Sequence, residues 1–127
     1  MEGDCGLRLL GLERIELLRS KWMELAREVV NVCSEVVNVI EAYVFGSVIK
    51  GYISGVSDLD ILLVVPNALN PHNVKAKIYE LLEDRLGELS LLVDIHIVNE
   101  GDVSKPPYTW YVKNAVKILE PSYSHLK

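Results

Sequence analysis

Several residue types are almost missing from this sequence: it has no glutamine, one threonine and two cysteines in 127 residues. Cys5 and Cys33 have no metal-ligand spacing and suggest no disulfide framework. Their scarcity excludes a disulfide-rich secreted scaffold, and we interpret both as free thiols in a reducing compartment. The absence of glutamine is typical of thermophilic proteins, although seven asparagines remain.

Two kinds of targeting segment are also missing. No apolar run reaches the roughly 18 residues that a membrane-spanning helix requires. The first residues carry acid where a signal peptide carries lysine or arginine, and no apolar segment of that kind follows them. The sequence therefore predicts a cytoplasmic protein with no membrane segment.

Basic residues are fewer than acidic ones. The chain has 13 Lys and Arg residues and 18 Asp and Glu residues, which gives a formal net charge of -5. This balance argues against extended nucleic-acid binding, which depends on basic side chains that neutralise phosphates. Apolar residues are abundant, at half of the chain, and a quarter of the residues are charged. These proportions indicate a globular protein, and the length suits one domain spanning 1–127.

The apolar periodicity predicts one small sheet covered by helices, an α+β (mixed α/β) fold. A long amphipathic helix is expected over 11–37, with its charged residues, Arg14 among them, mostly off the apolar stripe. Asn70 and Pro71 predict the start of a second helix, and Thr109 is expected to cap a last helix that includes Ile118. The expected strands are Glu41–Phe45, Asp58–Val65 and Leu91–Val98, and flexible tails are expected at 1–10 and 120–127.

Two aspartates mark the most apolar of these strands. Asp58 and Asp60 lie on one face of it, with Cβ atoms about 7 Å apart, because strand side chains alternate. Two ionised carboxylates at that distance repel each other, which raises a pKa or requires a cation, and Mg²⁺ is the natural candidate. For Asp58, which follows Ser57, a turn hydrogen bond at the strand end is an alternative.

A third aspartate, Asp94, stands alone among aliphatic residues in the next strand. If the two strands are neighbours, Asp94 faces the same cleft and completes a site of three carboxylates, which can hold two metal ions. Gly46 and Ser47 follow the first strand, where a glycine lets a phosphate approach the backbone. Lys50 is a further phosphate-binding candidate, with a solvated surface lysine as the alternative.

These residues together carry a family resemblance. Gly46-Ser47, ten intervening residues, Asp58-Leu59-Asp60 and the later Asp94 resemble the DNA polymerase β-type nucleotidyltransferase superfamily. Within it, the chain resembles the minimal nucleotidyltransferases over about residues 38–119. The resemblance implies the nucleotidyltransferase fold, a small mixed sheet flanked by helices, with 38–119 as the catalytic core. The helix at 11–37 is longer than that core requires, and Ile49-Lys50 replaces the Ala-Arg common in members.

The same resemblance implies the ligands and the chemistry. Asp58 and Asp60 would hold two Mg²⁺ ions, Asp94 would bind the second ion and help to activate the acceptor, and Gly46-Ser47 would grip the triphosphate of ATP. The reaction implied is transfer of a nucleoside monophosphate, AMP from ATP, to a hydroxyl. Many similar proteins are antitoxins of HEPN-domain toxins, which some of them modify. Two alternatives are a non-catalytic antitoxin that acts by contact and a transferase for small molecules, and a homodimer is left open.

Four other residues near these motifs have two interpretations each. His96 lies two residues after Asp94 and is able to reach a phosphate, but a hydrogen-bonded structural histidine is the favoured interpretation. Tyr108, Trp110 and Tyr111 are able to stack on a base. Core packing is favoured for Tyr111, and both interpretations stay open for the other two.

Overall fold

The computed structural model describes residues 12–66 and 70–119. Its helices are α1 (Leu12–Cys33), α2 (Ser47–Lys50), α3 (Pro71–Leu86) and α4 (Tyr108–Lys113), and its strands are β1 (Glu41–Phe45), β2 (Leu59–Val65), β3 (Val93–Asn99) and β4 (Val116–Leu119). Two 3₁₀ segments, Gly87–Leu92 and Glu100–Asp102, flank β3. Cys5 and the two predicted tails lie outside the described residues. Among the helices of residues 12–66 and 70–119, none combines the length and the apolar character that a membrane span needs.

The strands form a four-stranded sheet in the order β3-β2-β1-β4. The pair β2 and β3 is parallel, whereas β1 is antiparallel to both β2 and β4. The predicted mixed sheet flanked by helices is therefore confirmed. The long crossover that a parallel pair requires is supplied by α3, which connects β2 to β3.

One face of the sheet is buried under the two long helices. The alternate residues of β2 that face it are completely buried, at Leu59, Ile61, Leu63 and Val65. They pack in one cluster with Leu18 and Val29 of α1 and with Ile78 and Leu82 of α3. Burying a leucine or isoleucine side chain contributes roughly 1.5–3 kcal/mol, so this face supplies most of the hydrophobic stabilisation.

The opposite face is only partly covered, by α4. Leu62, Val64 and Val98 are buried there beneath aromatic residues that include Tyr108 and Tyr111. Because side chains alternate along a strand, Asp60 shares this face with Leu62, and Asp94 shares it with His96. The incomplete cover leaves these polar side chains at the edge of a small apolar cluster instead of inside the main core.

Several predicted boundaries agree with the structure. The strand Glu41–Phe45 is found as predicted. Asn70 caps α3, because its side chain accepts hydrogen bonds from the backbone N–H groups of His72 and Asn73, and Pro71 is the first helical residue. The helix α1 ends at Cys33, four residues before the predicted end. Just beyond it, the N–H of Glu35 donates to the carbonyl of Val32, an i→i−3 hydrogen bond that is tighter than the i→i−4 bond of an α-helix.

Other predicted elements were wrong. Val116–Leu119 is a strand on the free edge of β1, and the last helix is only Tyr108–Lys113, with Pro107 and not Thr109 in its N-cap position. The β-branched residues of 116–119 favour a strand once β1 offers unpaired backbone groups. Leu91 and Leu92 belong to a 3₁₀ segment, so β3 begins at Val93, and β2 begins at Leu59, immediately after Asp58.

Candidate active site

The register of the parallel strands brings two of the predicted carboxylates together. Asp60 of β2 lies opposite Asp94 of β3, and Leu62 lies opposite His96 two residues further along. On the other side of β2, Phe45 at the end of β1 is paired with Asp60. The two strands that must be neighbours for Asp60 and Asp94 to share a cleft are thus adjacent in the sheet.

Asp60, Asp94 and His96 form a group in which one ligand atom from each lies within 4.8 Å of the others. The Nε2 atom of His96 is 3.2 Å from Asp94 Oδ2 and 3.6 Å from Asp60 Oδ1. That Nε2 is buried and, among the described residues, makes no hydrogen bond of acceptable geometry, although both carboxylates lie within ion-pair distance of it. Two carboxylates and one orphaned imidazole nitrogen are a suitable donor set for a divalent cation, so the residues present fit a metal ion.

His96 is held at this position by aromatic rings. Its ring centroid lies 5.1 Å from that of Phe45 and 5.5 Å from that of Tyr111, both in edge-to-face geometry. Phe45 and Tyr111 stack on each other with centroids 4.5 Å apart. The predicted packing role of Tyr111 agrees with these contacts. The interpretation of His96 as a hydrogen-bonded structural residue is not supported at Nε2, for which the described residues provide no hydrogen bond.

Asp58 has a different environment. Its Oδ1 accepts a hydrogen bond of 2.9 Å from Nη2 of Arg14, which also donates to the carbonyl of Leu91 at 3.2 Å. Burial raises the pKa of Asp58 above its ordinary value, the Arg14 guanidinium opposes that shift, and the nearby carboxylates of Asp94 and Asp60 add to it. Asp58 is therefore electrostatically part of the carboxylate cluster, although it is not one of the three residues grouped around His96.

Gly46 fits closely against Asp60. Its φ of +86° and ψ of −154° lie in a region that is essentially restricted to glycine. A Cβ atom at this position would collide with the Asp60 carboxylate. The turn that begins at Gly46 therefore passes directly over one of the clustered carboxylates, and no side chain is able to intervene.

Ser47 and Lys50 are the first and last residues of α2, which follows Gly46. The first N–H groups of a helix have no intrahelical acceptor, so those of Ser47 and Val48 are available at this end. Lys50 is exposed and lines a cleft of about 340 Å³ with Phe45, Gly46, Ile49, Trp110, Tyr111 and Asn114. Trp110, which lines the same cleft, is 69% exposed. A larger open groove of about 800 Å³ along α3 shares no residue with this cleft.

Tyr79 of α3 supports the strand that carries Asp94. Its hydroxyl accepts a hydrogen bond of 2.7 Å from the N–H of Ile95 and lies 3.4 Å from the carbonyl of Val93, to which it donates. Both backbone groups belong to β3, which is an edge strand of the sheet that the described residues form. The hydroxyl thereby fixes the backbone on both sides of Asp94.

Sequence reasoning missed two of these residues, Arg14 and Tyr79. Arg14 was counted among the charged residues mostly off the apolar stripe of α1, yet it is only 7% exposed. Tyr79 belongs to a helix whose apolar residues were identified, but its hydroxyl acts on a strand 14 to 16 residues away in sequence. No local pattern marks such long-range contacts. A buried charge facing an aspartate becomes apparent only when the elements are assembled.

Comparisons with known proteins give the family. Residues 27–118 match the family described as "Polymerase beta, Nucleotidyltransferase". No protein among those with curated descriptions matches the chain.

Solved structures give further matches. One, from Sulfolobus solfataricus, belongs to a protein provisionally assigned as a nucleotidyltransferase; it has 28% identity and a TM-score of 0.49, with 79% of this chain and 81% of that chain covered. A toxin–antitoxin structure with AMP-PNP has 15% identity and a TM-score of 0.55, and a mutant of the toxin–antitoxin MntA–HpeT has 13% identity and the same score. In both cases the match covers 77% of this chain and 75% of that chain.

The last two matches agree with the fold described above, and the family match extends over most of the chain, from α1 to β4. It includes the Gly46-Ser47 turn and all three aspartates that the sequence pattern singled out. The chain belongs to the polymerase β-type nucleotidyltransferase family.

Proposed function

We propose that this protein is a Mg²⁺-dependent nucleotidyltransferase that transfers AMP from ATP to a hydroxyl of a HEPN-domain partner, as the antitoxin of a toxin–antitoxin pair. The observation that carries the proposal is the convergence of Asp60 and Asp94 from adjacent parallel strands, beside the orphaned Nε2 of His96. Family membership supports the reaction class.

The three aspartates are the proposed catalytic residues and metal ligands. Asp58 and Asp60 would hold Mg²⁺, and Asp94 would bind a second ion and accept the proton of the attacking hydroxyl. Bound Mg²⁺ supplies positive charge that stabilises the phosphoryl oxygens in the transition state. The acceptor oxygen forms a bond to the α-phosphorus, the bond from that phosphorus to the bridging oxygen breaks, and pyrophosphate leaves.

The triphosphate is proposed to bind at Gly46 and Ser47. The absence of a side chain at Gly46 keeps the space beside Asp60 open, and the Ser47 amide lies at the start of α2. Lys50 lines the adjoining cleft and adds a positive charge within it. The toxin–antitoxin structure with AMP-PNP, an ATP analogue, supports ATP as the nucleotide.

A protein acceptor is supported by the fold and by the surface. Two of the similar structures are toxin–antitoxin assemblies. Large apolar side chains are exposed at Tyr52, Val56 and Trp110, with 77%, 78% and 69% of each accessible. Trp110 borders the candidate nucleotide cleft, so a partner that covers it would present its hydroxyl close to the site.

The test is Mg²⁺-dependent labelling of a co-purified HEPN-domain partner with ATP that carries the label on its α-phosphate. We expect labelling in wild type and a loss of at least about 100-fold in Asp58→Ala, Asp60→Ala and Asp94→Ala, as for removal of a group that stabilises the transition state. Asp84→Ala, an exposed aspartate on α3, serves as the matched control and should label like wild type. Unchanged labelling in the three site variants would contradict the proposal.

Two other outcomes identify the alternatives. If wild type binds the partner and neutralises it without any label transfer, the protein is an antitoxin that acts by contact. If label passes to added small-molecule hydroxyls such as aminoglycosides but not to the partner, the acceptor class is wrong while the transferase chemistry stands.

A further inference from the structure

Arg14 belongs to a part of α1 that precedes the family match, which begins at residue 27. It nevertheless reaches the candidate site, where its Nη2 binds Asp58 Oδ1 at 2.9 Å. The same nitrogen binds the carbonyl of Leu91, which lies just before β3. One guanidinium from outside the matched region therefore contacts the starts of both strands that carry the aspartates.

The geometry of this ion pair is not that of an optimised structural bridge. Arg85 and Glu35, on the surface, form a two-pronged pair in which both guanidinium nitrogens meet both carboxylate oxygens. In the part of the chain that the structure describes, Arg14 donates through Nη2 alone, its buried Nε has no hydrogen-bond partner, and Asp58 Oδ2 receives no hydrogen bond. The pair thus neutralises Asp58 while it leaves one carboxylate oxygen unused.

Charge balance gives this contact a consequence. The three aspartates, when ionised, carry three negative charges, and Arg14 removes one of them, so the cluster retains the charge that one divalent ion compensates. Without Arg14 the same cluster would attract a divalent ion more strongly and would offer Asp58 as an additional ligand.

We propose that Arg14 is a positioning residue that occupies Asp58 in the nucleotide-free protein and thereby limits the site to one divalent ion, held by Asp60, Asp94 and His96. This inference rests on the proposed metal-dependent function. The second ion then enters only with the additional negative charge of a triphosphate.

The experiment counts Mn²⁺ ions bound to the full, nucleotide-free chain by electron paramagnetic resonance, with Mn²⁺ as the probe for Mg²⁺. Wild type should bind one ion. Arg14→Met, which keeps the length but not the charge, should bind the first ion at least about tenfold more tightly and should bind a second. Arg14→Lys keeps the charge and should bind one ion with an affinity within about threefold of wild type. Arg19→Met, an exposed arginine on the same helix, should match wild type.

Equal number and affinity of bound Mn²⁺ in wild type and Arg14→Met would overturn this inference and leave the proposed function intact. Absence of Mn²⁺ binding in every variant would overturn both. If Arg14→Met does not fold, Asp58→Asn gives an independent reading. Asp58→Asn should weaken Mn²⁺ binding by less than about tenfold, because Arg14 already occupies Asp58. Asp60→Asn, which removes a proposed ligand, should weaken it by at least about 100-fold. Equal losses in those two variants would also overturn the inference.

Discussion

At the residue scale, Gly46 couples a backbone conformation to the position of a carboxylate. Gly46 and Gly51 have nearly the same positive φ, +86° and +88°, but only Gly46 lies against another side chain. Replacing either by alanine introduces backbone strain of about 1–3 kcal/mol. Only at Gly46 does the new Cβ also displace Asp60.

We therefore expect Gly51→Ala, whose backbone lies in the left-handed region, to lower the free energy of unfolding by about 1–3 kcal/mol, and Gly46→Ala, which adds a collision with Asp60, to lower it further. Gly46→Ala should in addition weaken Mn²⁺ binding by at least about tenfold, because Asp60 moves away from Asp94 and His96. Urea unfolding and Mn²⁺ titration of both variants measure the two effects separately. Mn²⁺ affinities that fall equally in both would show that strain alone is responsible.

Cys33 gives a pH-dependent prediction at the same scale. Burial raises the pKa of its thiol from 9.0 to about 12, with a smaller opposing effect from a backbone hydrogen bond. Above pH 9 the thiol ionises in the unfolded chain and stays protonated in the folded one, so stability is lost as pH rises from 9 towards 12. Below pH 9 the thiol has no such effect.

Between pH 8 and pH 10 we expect this thiol to remove about 1.4 kcal/mol from the free energy of unfolding. Urea unfolding of Cys5→Ser at the two pH values measures the loss, and the same chain with Cys33→Ala supplies the reference that cancels the titration of other groups. An identical pH dependence in the two proteins would mean that Cys33 ionises equally in the folded state.

At the scale of single elements, the outer edge of β3 depends on the hydroxyl of Tyr79. Tyr79→Phe leaves the N–H of Ile95 without its acceptor, which costs about 1–3 kcal/mol for a buried donor. Tyr52→Phe, at a tyrosine that is 77% exposed, should change stability by less than about 0.5 kcal/mol. Urea unfolding compares the two variants, and faster hydrogen exchange at the Ile95 amide should appear only in Tyr79→Phe. A protected Ile95 amide in Tyr79→Phe would contradict this role.

The elements also show how far the sequence determines the fold and the site. The strands β1 and β2 and the helix α3 follow from local signals, namely apolar runs, the Asn70 cap and the Gly87 stop. The strand β4 has four residues and exists because β1 has a free edge, a partner more than 70 residues earlier in the chain. Local periodicity carries no information about that partner, and the prediction of a helix there was wrong for this reason.

The same distinction holds for the candidate site. Asp58, Asp60 and Asp94 were singled out as candidates because a carboxylate within or beside an apolar strand is anomalous by itself. Arg14 was missed because one arginine beside the apolar stripe of α1 looks like any solvated charge, and its burial depends on where α1 crosses the ends of β2 and β3. His96 was placed on the correct face, but its environment could not be predicted, because its Nε2 lies beside carboxylates from two strands and its ring contacts Phe45 and Tyr111 from other elements.

At the scale of the whole molecule, α1 begins before the family match and packs into the same hydrophobic cluster as the matched residues. Leu18, Leu25 and Ala26 precede the match, yet each is at most 8% exposed and belongs to the main hydrophobic cluster. The helix therefore completes the core under the sheet and, through Arg14, contacts the site on the same sheet.

Net charge separates the proposed protein-directed transferase from a template-using polymerase of the same family. With a formal charge of -5 and three carboxylates at its centre, the molecule repels a polyanion that offers no compensating contact. We expect a 20-nucleotide single strand to bind more weakly than about 10⁻⁴ M at 0.15 M salt, below the usual range of non-specific binding. Fluorescence anisotropy with a labelled oligonucleotide, repeated across salt concentrations, measures this affinity. Binding tighter than about 10⁻⁵ M with a steep salt dependence would reveal a basic track and would favour a nucleic-acid substrate over a protein hydroxyl.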